Sequence, residues 1–160
     1  MKKLFLSLML LLFSCSLSLA QIQGFDSTYI GELKKDVWGT YKEIIKQNLK
    51  MTPKESDVFW PLFDEYMAAH DPIVDKRLKI TEDYMMNYYS LDDATAKELI
   101  IKAFESEQEE LNMKKEFLNK MLDKLPAPLV GKFAQIDARV SALINLIRMS
   151  SIPLVRESEQ

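Results

Sequence analysis

The chain has 160 residues, of which 48% are hydrophobic and 28% charged, and its formal net charge is −3. A mildly acidic, well solvated surface argues against nucleic acid or an anionic lipid surface as the partner. The single cysteine excludes an intramolecular disulfide, so that packing must stabilise the fold.

Residues 1–20 are expected to be a secretory signal peptide. Lys2 and Lys3 form a basic start, residues 4–12 an apolar run, and Ser18-Leu19-Ala20 a small-x-small cleavage site. The apolar run is too short to span a membrane as a helix. Loss of the two lysines would bring the net charge to about −5.

Cleavage after Ala20 would also remove Cys15. The expected mature protein is one domain, residues 21–155, followed by a disordered tail, residues 156–160. The alternative is a lipoprotein anchored at Cys15, because Leu12-Phe13-Ser14-Cys15 resembles a lipobox.

The rest of the chain has the pattern of helices, with few glycines and no long alternation of apolar and polar residues. Four helices are predicted, at about 28–50, 52–88, 92–122 and 128–149. The link between the second and third is very short, and these two must therefore form an antiparallel hairpin. The predicted fold class is all-α: a long bent antiparallel hairpin with flanking N- and C-terminal helices.

The start of the second helix is well marked. Thr52 suits the N-cap, Pro53 the first helical position, and Glu55 completes a capping box. From Phe59 onward one apolar stripe keeps its helical phase. Its other members are Leu62, Phe63, Tyr66, Ile73, Val74, Ile80, Tyr84, Met85 and Tyr88.

Two prolines fall inside this helix without interrupting the stripe. Pro61 and Pro72 are eleven residues apart, so they share one side of the helix, opposite Phe59 and Tyr66. Each proline removes one backbone hydrogen bond and bends the helix away from its ring. We expect Pro61 and Pro72 to set the shape of the protein by curving the apolar face inward.

The other helices also have predicted core faces. The first contributes Ile30, Leu33, Val37, Tyr41, Ile44 and Asn48, flanked by Trp38 and Ile45. The third contributes Ala96, Leu99, Ile100, Ala103, Phe104, Leu111, Phe117, Leu118 and Met121. The fourth contributes Leu129, Phe133, Ile136, Val140, Ile144 and Ile147.

Polar residues within these faces predict pairing across the hairpin, because lone buried charges are costly. Folding the hairpin about Leu91 predicts a structural Arg77–Glu107 ion pair, with Glu110 or Lys114 near His70. A functional switch at this pair is the alternative.

The sequence has no nucleophile elbow, phosphate-binding glycine loop or zinc-binding HExxH motif. A transition-metal site would need several convergent ligands, and His70 is the only histidine. We therefore expect a non-enzyme with no cofactor and no metal. Weak metal binding near His70, joined by Asp71 and Glu110, is the alternative.

Aromatic and methionine residues of the second helix suit an adaptable protein-binding surface or a dimer contact. Their usual role at helical spacing is in a core. The candidate client- or partner-binding residues are Phe59, Trp60, Phe63, Tyr66, Tyr84, Met86 and Tyr89.

Three helix starts share a loose pattern, at residues 51–55, 91–95 and 125–129, each followed four residues later by Phe59, Leu99 or Phe133. This resembles the LTxxQ helix-start motif of the Spy/CpxP family of small periplasmic proteins. Its uncharacterised secreted members are similar over nearly the whole mature chain. They share the segments that here are Thr52–Tyr66, Leu125–Ile136 and Ser150–Val155.

The resemblance implies a periplasmic, dimeric protein with a bent helical hairpin. The function expected from it is an ATP-independent, chaperone-like hold on unfolded or amphipathic protein clients at a concave apolar face. The alternative is an envelope-stress sensor or modulator that partners a membrane-bound sensor kinase or anti-sigma factor. A structural envelope protein is a third reading.

Overall fold

The computed structural model describes residues 39–150 and 152–155, apart from the side chain of Ile147. The predicted signal peptide, the tail at 156–160, and residues 21–38 of the expected domain lie outside the described residues. The described residues form helices and no strand, which confirms the predicted all-α class for this part of the chain. We label the helices α1 (39–48), α2 (Pro53–Asn87), α3 (Asp93–Leu122) and α4 (Ala127–Ser150).

Local hydrogen bonds start α2 and α3 where the sequence predicts. The Thr52 hydroxyl accepts from the Glu55 backbone N–H at 3.3 Å, and the Glu55 carboxylate accepts from the Thr52 N–H at 2.7 Å. Both halves of the capping box are therefore present, with Pro53 at the first helical position. The Asp92 carboxylate caps α3 by accepting from the Thr95 N–H at 2.7 Å.

Helix α2 continues through Pro61 and Pro72, as predicted. Both prolines are exposed, whereas Phe59, Leu62 and Phe63 beside them are buried. The prolines thus lie on the solvent side, where the lost hydrogen bonds leave carbonyls that water can reach. The inward curvature expected from them stays a prediction.

Contacts made by α2 define the directions of α3 and α4 relative to it. Lys76 bonds to Glu109 of α3 at 2.8 Å, and the rings of Tyr66 and Phe117 lie 5.8 Å apart, so that α2 and α3 form the predicted antiparallel hairpin. Helix α4 runs parallel to α2, because Tyr66 bonds to Asp137 and Arg77 bonds to Asn145 further along both helices.

A cluster of aromatic rings lies in the core, among aliphatic residues. Its centre is Phe133 of α4, whose ring lies 5.5 Å from Phe59, 6.2 Å from Phe63 and 5.7 Å from Tyr66, each edge-to-face. Tyr41 of α1 meets Phe63 at 5.5 Å. Such pairs contribute about 0.5–1.5 kcal/mol beyond the burial of their area.

The predicted inner face of α3 is partly confirmed, because Leu99, Phe117 and Met121 are buried as predicted, but three of its other members lie at the surface. Ile100, Phe104 and Leu111 were expected in the core, yet they are 55%, 68% and 62% exposed. The residues that α3 buries are Leu99, Ser106, Phe117 and Met121. The buried face of α3 is therefore rotated by roughly 50° about the helix axis from the predicted face.

The predicted inner faces of α4 and α1 agree better with the structure. Phe133 and Ile136 of α4 are buried as predicted, together with Val130 and Asp137. In α1, Tyr41 is buried as predicted. Ile45, expected only at the flank, lies in the core with Leu49, whereas Ile44 is half-buried and Asn48 is exposed.

Two phenylalanines test this arrangement as a matched pair. Phe133→Ala should lower the free energy of unfolding by about 3–5 kcal/mol, because it empties the centre of the aromatic core. Phe104→Ala should change it by less than about 0.5 kcal/mol, because that side chain lies at the surface. Urea unfolding followed by circular dichroism measures both, and a large loss for Phe104→Ala would contradict the observed rotation of α3.

Candidate functional site

Charged and polar side chains form a buried network where the four helices meet. Its anchor on α4 is Asp137, whose Oδ1 accepts hydrogen bonds from the hydroxyls of Tyr41 and Tyr66, each at 2.7 Å. Both tyrosines are buried, as is Asp137 itself. One carboxylate oxygen thereby joins α1, α2 and α4.

Lys114 of α3 connects this carboxylate to the next. Its Nζ lies 2.9 Å from Asp137 Oδ2, 2.9 Å from Glu110 Oε1 and 2.8 Å from Ser141 Oγ. A lysine ammonium has three N–H donors, and these three partners use all of them. A buried charge is tolerated only when it is paired and hydrogen-bonded in this way.

Glu110 extends the network to two residues of α2. Its Oε2 bonds to Arg77 Nη1, and its Oε1 lies 3.3 Å from His70 Nε2 as well as near Lys114. The expected Arg77–Glu107 pair is therefore corrected to Arg77–Glu110. Glu107 is exposed, because it follows the buried Ser106 directly, whereas Glu110 lies one turn beyond Ser106 on the inner face.

Contacts within the network, together with burial, shift the pKa values of its members. Burial disfavours the charged form of Glu110, yet hydrogen bonds from His70 and Lys114 and the charges of Lys114 and Arg77 hold the pKa of its carboxyl well below the usual range. Burial likewise opposes the charge on Lys114, but Asp137 and Glu110 raise its pKa. For Tyr41 and Tyr66, burial followed by the charge of Asp137 raises the pKa, so both phenols stay protonated and donate.

The charged and polar groups of the network bond to one another. The donors of Lys114 and the oxygens of Asp137 and Glu110 all have partners within the protein, and so the network fixes helix positions instead of presenting groups to a ligand. Among the described residues, no three potential metal-ligating side chains converge on one point.

Three of the seven sequence-predicted binding residues lie in the core. Phe59, Phe63 and Tyr66 are almost fully buried against Phe133 and cannot touch a client while the protein is folded. Their assignment to a binding surface is corrected on this ground. The buried part of the α2 stripe contacts α1, α3 and α4 of the same chain, whereas its later members, Val74, Ile80, Tyr84, Met85 and Tyr88, are half-buried.

The other four are at least partly accessible. Trp60 is half-buried, packed edge-on against Phe59 at 5.2 Å, with Lys42 Nζ 5.4 Å from its ring. Tyr84 is half-buried near the end of α2, where Met86 and Tyr89 are exposed. The structure therefore separates Trp60 from the three residues at the end of α2.

An exposed apolar line on α3 was missed by the sequence reasoning. We call it the outer stripe, and it consists of Ile100, Phe104, Leu111 and Leu122. At roughly 100° per residue its members fall within about 40° of one another, and they extend over about 33 Å of helix. Helix α4 also exposes Leu143, Leu146 and Met149.

A signal for the outer stripe is visible in the sequence. Helix α3 carries two lines that could face inward: a mixed line, which we call the polar line, has Ser106, Glu110 and Lys114 beside Leu99, Phe117 and Met121, and the other line is entirely apolar. The pattern of α3 by itself favours the apolar line as the one that faces the core. Asp137, Arg77 and His70 on other helices supply the partners that favour the polar line.

Comparison of the chain with protein-family models, curated proteins and solved structures finds no match in any of the three. The resemblance to the Spy/CpxP family therefore stays a prediction.

None of the helices among the described residues is both long and apolar enough to cross a membrane.

Acid should weaken the fold through Glu110. Because its folded-state pKa lies below the ordinary value of 4.5, ionised Glu110 stabilises the protein above that value, and this contribution is lost as pH falls below it. Glu110→Gln should lower the free energy of unfolding by about 3–5 kcal/mol at pH 7, because Arg77 and Lys114 lose a buried counter-charge. The difference from wild type should shrink steadily as the pH is lowered towards 3.

Glu107→Gln is the matched control, since Glu107 is exposed on the same helix. It should leave stability within about 0.5 kcal/mol of wild type at both pH values. Chemical denaturation at a series of pH values gives all three curves. A Glu110→Gln deficit that stays constant with pH would show that Glu110 does not titrate as described.

Proposed function

We propose that this protein is a non-enzymatic protein-binding module that holds amphipathic or partly unfolded protein segments, without ATP, in the manner of a chaperone. The observation that carries the proposal is the outer stripe of α3. It places two aliphatic side chains and one aromatic side chain of the same helix face, Ile100, Leu111 and Phe104, more than half exposed beside a well-packed core. Apolar side chains exposed in a row on one helix face are a candidate contact surface, because contiguous exposed apolar surface usually marks an interaction site.

The stripe suits clients that are chosen by apolarity. It is long and narrow, and its length of about 33 Å corresponds to about six turns of a client helix lying along α3. Glu107 follows Phe104 by three residues and Lys115 follows Leu111 by four, both exposed, so that charges of both signs border the apolar side chains. Such a mixed border favours no single client charge.

The proposed surface differs from the one expected from the sequence. The proposed contact moves from Phe59, Phe63 and Tyr66 of α2, which are buried, to the exposed face of α3, the other helix of the hairpin. Periplasmic location and homodimer formation are part of the proposal and rest on the signal-like N-terminus and the Spy/CpxP resemblance. The lack of a recognisable catalytic motif supports a binding role.

Aggregation assays test this proposal. An unrelated enzyme, diluted from denaturant, should scatter less light when this protein is present at near-stoichiometric amounts without ATP. Phe104→Gln combined with Leu111→Gln should weaken client holding by about tenfold or more, because two apolar contacts are lost. Both side chains are exposed, so that the variant should keep the helical circular dichroism of wild type.

Leu143→Gln combined with Leu146→Gln is the matched control, since it removes similarly exposed apolar groups from α4, outside the outer stripe. It should leave suppression of aggregation unchanged. No suppression by the wild-type protein, even in large molar excess, would reject the chaperone-like function. Specific retention of one membrane-bound sensor or anti-sigma protein in that case would favour the regulatory alternative.

A further inference from the structure

The end of the described chain lies against the end of α2. Helix α4 finishes at Ser150, and residues 152–155 continue without regular structure. The Tyr84 hydroxyl donates a hydrogen bond to the carbonyl oxygen of Pro153 at 2.9 Å. Ile152 and Pro153 are half-buried, whereas Leu154 and Val155 are exposed. The segment Ile152–Val155, called the tail from here on, is thus held at Pro153, and the two side chains that follow are exposed.

Three tyrosines form the surface at this place, and we call them the tyrosine site: Tyr84, Tyr88 and Tyr89. The rings of Tyr84 and Tyr88 lie 5.9 Å apart at 77°, and those of Tyr88 and Tyr89 lie 5.0 Å apart at 76°. Successive rings are nearly perpendicular, which produces a ridged aromatic surface. It extends past the residue that holds the tail, because Tyr89 is largely exposed and has Met86 nearby in sequence, also exposed.

The chemistry of the contact matches a known way of recognising extended peptides. Proline fixes its own φ and lacks an N–H, so a proline segment is already extended and offers carbonyl oxygens as its hydrogen-bonding groups. Aromatic surfaces that combine ring contacts with hydroxyl donors are suited to such segments. Here Tyr84 supplies the donor to the Pro153 carbonyl, and aliphatic residues flank the proline on both sides.

We propose that the tyrosine site is a binding site for an extended, proline-containing aliphatic segment of a partner protein, and that the chain's own Ile152–Val155 segment occupies it as an internal competitor. The tail shows which chemistry the site accepts. Among the described residues, its contacts include one side-chain hydrogen bond and two half-buried residues, and Tyr89 remains 72% exposed. A partner segment that also covers Tyr89 would therefore bury more aromatic surface. This surface is separate from the outer stripe on α3.

The chain's own Ile152–Val155 segment is expected to compete with a free peptide for the tyrosine site. A tethered ligand has an effective concentration in the millimolar range, and a free peptide of the same sequence must exceed that to displace it. Weakening the tail should therefore expose the site. The substitutions Ile152→Ser and Pro153→Gly, made together in the full chain, remove the aliphatic contact and the proline while leaving α2 unchanged.

The probe is a fluorescently labelled peptide of sequence Ser-Ser-Ile-Pro-Leu-Val, followed by anisotropy. It should bind saturably to the Ile152→Ser/Pro153→Gly variant and at least about tenfold more weakly to wild type. Adding Tyr84→Phe to that variant should weaken binding about fivefold, the expected effect of one lost hydrogen bond. A peptide with glycine in place of proline should bind more weakly, and Phe104→Gln should change nothing.

Three results would overturn the proposal. One is an opened variant that keeps its helical signal and cooperative unfolding but does not bind the peptide. Another is equal binding with and without the Tyr84 hydroxyl. The third is concentration-dependent self-association of the wild-type chain that Tyr84→Phe abolishes, because this would assign the site to the tail of a second copy.

Discussion

The ammonium of Lys114, held between Glu110 and Asp137, is the interaction on which the arrangement of the helices depends. It lies on α3 and reaches a carboxylate of α4, which in turn accepts from Tyr41 of α1 and Tyr66 of α2. Glu110 extends the same connection to Arg77 of α2. Moving any one helix along or around its axis would separate the buried carboxylate of Asp137 or that of Glu110 from one of its hydrogen-bond or charge partners.

The cost of such a separation explains the rotation of α3. Turning the helix so that Phe104 and Leu111 face inward would gain about 1.5–3 kcal/mol for each side chain buried. It would also withdraw Phe117 and Met121 from the core and carry Glu110 and Lys114 away from their partners. Asp137 and Arg77 would then lose their counter-charges, at a cost of several kcal/mol per ion. The combined cost exceeds the gain from burying Phe104 and Leu111. The apolar line therefore remains on the surface, and this is the line to which we assign client binding.

The two proposed surfaces thus have different physical origins. The outer stripe is apolar surface that the polar network prevents α3 from burying. The tyrosine site lies where α2 ends and continues the run of aromatic residues beyond the reach of the core, since Phe59, Phe63 and Tyr66 are covered by α4 but Tyr89 is not. Helix α2, which is capped and continuous, is the element against which α1, α3 and α4 pack.

Local interactions made much of this fold predictable. The capping box at Thr52, the cap at Asp92 and the unbroken phase of α2 across Pro61 and Pro72 each depend on residues within about three turns of one another, so that sequence alone determines them. The short link determines the hairpin for the same reason. Tertiary structure decided which line of α3 faces inward, which acid pairs with Arg77, and where the accessible apolar surface lies. Those outcomes depend on Asp137 and its neighbours, which are distant in sequence, and no periodicity within one helix contains information about a partner on another.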